Sequence, residues 1–121
     1  MVAIGFARFM GAATACYGLI VAIRPAVLLG PCGWHDDDPG RRALARTTAC
    51  RDLASGLGIA LAPTPAALRV ATGCRVLADF SDAGVLAVAL RGRPQRTKAV
   101  AVAAGWGLLC GAAGLTATRT R

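Results

Sequence analysis

The chain contains no glutamate: all six of its acidic residues are aspartates, and His35 is its one histidine. A single histidine cannot ligate a haem iron from both faces. No serine, cysteine or histidine stands in a nucleophile-and-base pattern. No glycine-rich phosphate loop follows a strand, and no segment reads as a strand. The five cysteines cannot all pair, and their spacing fits neither a disulfide framework nor a zinc site. Cys16, Cys50, Cys74 and Cys110 fall in apolar stretches and read as small hydrophobic residues; Cys32 is the one expected to meet water. No catalytic residue, metal site or cofactor is expected. Charge is also scarce, at 17% of residues, against roughly a quarter in an ordinary soluble domain.

What the chain has in quantity is apolar sequence, 55% of its 121 residues. It runs almost without interruption over 2–29, 43–62, 66–90 and 99–117. Each block is close to the roughly 20 residues that carry a helix across a bilayer. The predicted fold is all-α: an integral membrane four-helix bundle of antiparallel up-down topology, forming a single transmembrane domain over 1–121. Pro25 should kink or end the first helix. The turn Ala62-Pro63-Thr64-Pro65 should fold the second and third helices into an antiparallel hairpin. The first block continues to Leu29, too long for a cleaved signal.

Net charge is +8. A basic soluble domain would suggest nucleic acid, but here the positive residues flank apolar spans, where anionic lipid and positive-inside topology place them. No nucleic-acid partner is expected. Loops 30–42 and 91–98 are predicted to be cytoplasmic, in a multi-pass protein of the cell membrane. Expected partners are membrane lipids, with a homo-oligomer or a larger membrane complex as further candidates. Gly11, Ala15 and Gly18 share one side of the first helix, and Ala103, Gly107 and Gly111 recur every four residues in the last. Such small faces allow close packing, within the chain or between protomers. Gly56 and Gly58 should thin the second helix for approach of the third. His35 with Asp36, Asp37 and Asp38 reads as a solvated acidic turn.

The informative segment is Cys50-Arg51-Asp52-Leu53-Ala54-Ser55-Gly56, which sets opposite full charges inside an apolar block. At about 1.5 Å per residue, Arg51 lies roughly 12 Å from the start of its helix and Asp82 roughly 12 Å from the end of the next. In an antiparallel hairpin their depths match. Arg75, Asp79 and Asp82 are spaced by four and three and share one face. The predicted ligand or ion-pair network is therefore Arg51, Asp52, Arg75, Asp79 and Asp82. Arg51 and Asp52 point about 100° apart on a helix and need not pair with each other. Adding Arg46 would balance three positive groups against three negative ones. Unpaired charge at bilayer depth costs on the order of 3 kcal/mol even on the mild insertion scale.

Arg51-Asp52-Leu53-Ala54-Ser55-Gly56, then Arg69, then Asp79 and Asp82 before a basic loop, resemble a domain-of-unknown-function family of small bacterial and fungal four-helix membrane proteins, distantly DoxX-like. The resemblance implies four transmembrane helices and brings no activity, substrate or cofactor. Two functions compete. One is a structural or accessory membrane subunit whose charges form a dry ion-pair lock. The other is a binding or transport protein for a small molecule, proton or anionic lipid, with a polar cavity between the second and third helices. A lipid-modifying enzyme with an aspartate base ranks third.

Overall fold

The structure, a computed structural model, describes residues 1–119. These residues form five α-helices: α1 (Val2–Ile23), α2 (Ala26–Leu29), α3 (Pro39–Ala60), α4 (Pro65–Ala89) and α5 (Arg96–Arg119), with a 3₁₀ turn at Gly30–Cys32. The all-α expectation holds, but the expected four-helix bundle does not. The first apolar block is two helices. Pro25 has no N–H to continue the α1 ladder and forces the residue before it out of the helical region. Arg24 accordingly sits at φ −126°, ψ 84°, and ends α1. The chain then restarts as the single turn α2, tightens into the 3₁₀ turn, and reverses at Gly33 with φ 73°.

The starts of α3 and α4 follow from their caps. Asp38 accepts a hydrogen bond from the Gly40 N–H at 2.7 Å, and Pro39 takes the first helical position, where its missing N–H costs nothing. Helix α3 therefore begins four residues before 43. Thr64 does the same for α4, its Oγ1 accepting from the Ala67 N–H at 3.1 Å, again with proline next. The acidic turn thus has a specific use: Asp38 is a helix cap that also reaches Arg41.

Helix α1 packs on α3 and α4 on α5, while the α1–α5 and α3–α4 contacts close the arrangement. The first pairing is backbone against backbone. A Cβ on Gly18 would stand 2.6 Å from the Ala49 carbonyl oxygen and the Leu53 nitrogen, and one on Gly56 would strike the Ala15 nitrogen and Gly11 carbonyl. So Gly56 faces α1, not α4 as expected; it is Gly58 that lies near Ala71 of α4. In the second pairing, Gly107 receives Asp79, Gly111 receives Val76 and Gly114 receives Thr72. Both small-residue faces are used inside the chain.

Two apolar clusters occupy opposite ends. Ala7, Met10, Ile59, Ala62, Leu68, Cys110, Ala113 and Ala117 gather at one, with Val21, Leu29, Ala45 and Ala49 at the other. Trp106 bridges α5 to α1, its Nε1 donating to Thr14 Oγ1 at 2.9 Å. Cys32 is buried rather than wetted, with 3% exposure, and burial pushes its thiol above the ordinary value. Cys16, Cys50 and Cys74 instead lie on outer helix surfaces. The first and third loops share an end, since Gly33 abuts the Gln95 side chain.

Candidate functional site

Along α3 the two apolar clusters leave a gap between Ala49 and Ile59, and the charged residues fill it. Arg51, Asp52 and Ser55 come from α3; Arg75, Asp79 and Asp82 come from α4. Residues three and four apart on a helix share a face, so each helix turns one charged stripe toward the other.

Arg75 is the centre. It is 1% exposed. Its Nε donates to Asp79 Oδ2 at 3.0 Å and its Nη2 to Asp79 Oδ1, a forked pair within one helix. Its Nη1 crosses to α3, donating to Asp52 Oδ1 at 2.6 Å and Ser55 Oγ at 2.9 Å. Asp52 and Asp79 are also buried, at 7% and 5%. Arg51 makes the second crossing. Its Nη1 donates to Asp82 Oδ1 at 2.9 Å and its Nη2 to Asp82 Oδ2, again a fork. The same Nη2 lies 3.3 Å from Asp52 Oδ1. Their separation of about 100° on the helix did not require Arg51 and Asp52 to pair, yet Arg51 reaches along the helix far enough to share the Asp52 oxygen with Arg75.

The result is one line of alternating sign: Asp82, Arg51, Asp52, Arg75, Asp79. All five residues predicted from sequence are in it. Ser55 is the member that sequence reasoning missed, although its spacing of three from Asp52 places it on the same face. Arg46 is outside: its Nε donates to the Ala22 carbonyl at 3.2 Å, at the end of α1. Arg69 is exposed on α4. The network therefore sets two guanidiniums against three carboxylates, not three against three.

Its two ends differ. Arg75 and Asp79 have side chains 2% and 7% exposed, whereas those of Arg51 and Asp82 are 38% and 29% exposed. The Arg51–Asp82 fork thus stands at the outer seam between α3 and α4. Two surface grooves lie elsewhere, and no network residue lines either of them. Among the described residues, no group of three or more metal-ligating side chains converges.

No family model matches the chain, and comparison with curated proteins and with solved structures also yields no match. What is shown is a mostly helical protein with a buried Arg/Asp network, in which α1 and α5 are long and apolar enough to cross a membrane.

Proposed function

We propose that the protein is a small multi-pass membrane protein that acts as a structural or accessory subunit, presenting the α3–α4 seam to another transmembrane protein. The observation that carries this reading is the partly exposed Arg51–Asp82 fork, with Arg51 near the middle of α3 and Asp82 about two turns from the end of α4. A charged pair facing lipid there would be poorly solvated; a partner helix would cover it and complete its hydrogen bonding. Support for membrane embedding comes from α1 and α5, whose most apolar windows are only 39% and 22% buried within the chain. Their uncovered faces carry Phe9, Leu19, Ile20, Val102, Leu108 and Leu109, a surface suited to lipid. Loops 30–42 and 91–98 then face the cytoplasm, as their basic residues favour.

A second copy is the first partner to test. Ala54 is exposed one turn beyond Arg51, while Leu108 is exposed on α5. In a cysteine-free background, Ala54→Cys is expected to give an oxidative cross-link in native membranes, and Leu108→Cys none. A dimer band identifies a second copy; a heavier adduct identifies another subunit. Equal cross-linking from both positions, or none from Ala54→Cys, contradicts the reading.

One observation favours the alternative of a proton or small-cation carrier. The network has one more carboxylate than guanidinium, an excess that a bound cation would neutralise. In that case Asp79→Asn should abolish cation flux in proteoliposomes while leaving helix content intact. An unchanged flux, or no flux in the parent protein, removes this alternative.

A further inference from the structure

We propose that the groove at the α1–α2 break is a binding site for a phosphate-bearing anion, whether a lipid headgroup or free phosphate. The groove, of about 520 Å³, is walled by Arg24 in the break, Arg42 and Arg46 at the start of α3, Asp36 of the loop, and the apolar Ile23 and Val27. Arg42 and Arg46 are four residues apart and therefore share a face of α3. Each is held by a backbone carbonyl. Arg42 Nη1 donates to the Asp36 carbonyl, and Arg46 Nε donates to the Ala22 carbonyl at 3.2 Å. These bonds fix the side chains and leave the remaining guanidinium donors without protein acceptors among the described residues.

The acids of the loop do not neutralise this cluster. Asp38 is used by the α3 cap and by Arg41. No ion pair among the described residues joins Asp36 or Asp37 to Arg24, Arg42 or Arg46. Three guanidiniums thus meet one carboxylate across the groove. Planar guanidinium forks match phosphate oxygens in charge and geometry. Ile23 and Val27, both exposed, give the same groove an apolar side against which the glycerol and acyl part of a lipid can lie. The second groove, between α4 and α5, lacks this convergence: Arg96 is its one cation, and its Nε is committed to the Ala87 carbonyl at 2.7 Å. Basic residues occur at both loops, and those of the first line the groove together.

The test uses the full chain in detergent, with bound lipid read by native mass spectrometry. Phosphatidylglycerol and phosphatidylcholine of equal chain length are compared, with inorganic phosphate as the third probe. The parent protein is expected to retain phosphatidylglycerol about tenfold better than phosphatidylcholine, or to bind inorganic phosphate directly. The pair Arg24→Gln and Arg46→Gln should remove that preference, while the pair Arg91→Gln and Arg93→Gln should keep it. Displacement of the lipid by millimolar phosphate assigns the site to the free anion; retention assigns it to the headgroup. The Arg24 side chain makes no hydrogen bond within the described residues, so Arg24→Gln alone separates lost binding from lost folding. Equal retention of both lipids with no phosphate binding overturns the proposal, as does an equal loss in the loop control. The groove is distinct from the α3–α4 seam, so either result leaves the subunit reading to its own cross-linking test.

Discussion

Arg75→Met is expected to destabilise the fold by roughly 3–5 kcal/mol, the usual consequence of removing one partner from a buried ion pair. Arg75 is the residue through which α3 and α4 are joined at depth. Methionine fills a similar space but leaves Asp52 and Asp79 buried, close together and without their main donor. Two carboxylates in that position repel each other and lose solvation together. Arg75→Lys should recover only part of the loss, because an ammonium cannot fork to Asp79 while also spanning to Asp52 and Ser55. Neutralising all three, as Asp52→Asn, Arg75→Met and Asp79→Asn, should recover more than Arg75→Lys does. Buried charge is costly mainly when its balance is broken. Unfolding in a denaturing detergent, followed by helical circular dichroism, reads each of these differences.

The second large effect is expected at Gly56. Even Gly56→Ala places a methyl group against the Ala15 nitrogen and the Gly11 carbonyl of α1. These are backbone atoms and cannot swing aside, so α1 and α3 must separate along their whole contact. A loss toward the upper end of the 1–3 kcal/mol typical of overpacking is expected, on the order of 3 kcal/mol. Gly105 and Gly73 supply the control, since a Cβ at either meets nothing within 4 Å. Gly105→Ala and Gly73→Ala should be neutral or stabilising by up to about 1 kcal/mol, through helix propensity alone. The same denaturation assay separates the two classes. Equal effects at Gly56 and Gly105 would mean that α1 and α3 do not approach as closely as the structure places them.

Much of the site was legible because helical spacing and the cost of buried charge are both local rules. Arg75 and Asp79, four apart, had to share a face, and the proline turn at 62–65 had to bring Arg51 level with Asp82. The misreadings arose where a tertiary choice decides. Pro25 was expected to kink or end the first helix, but the nearly continuous apolar sequence drew that helix on to Leu29, whereas it stops at Ile23. Gly56 could have faced either neighbour, since a glycine in an apolar helix does not say which backbone it admits. Charge balance suggested Arg46 as an addition to the five predicted residues. In the fold it is taken by a free carbonyl at the end of α1, an acceptor that exists only because α1 breaks there. Cys32 was expected in water because it lies in a loop, but the 3₁₀ turn carries it inward. Asp38 was grouped with its acidic neighbours, although an aspartate directly before proline and an apolar helix is also a cap signal.

The most direct measurement of the central claim is a double-mutant cycle across the seam, with Asp52→Asn on α3 and Arg75→Met on α4. If the alternating charges tie the two helices together, the double variant should be less destabilised than the sum of the singles, with a coupling of about 1.5 kcal/mol or more. Effects that add to within about 0.5 kcal/mol would contradict the account, because Asp52 and Arg75 would then contribute to the fold separately.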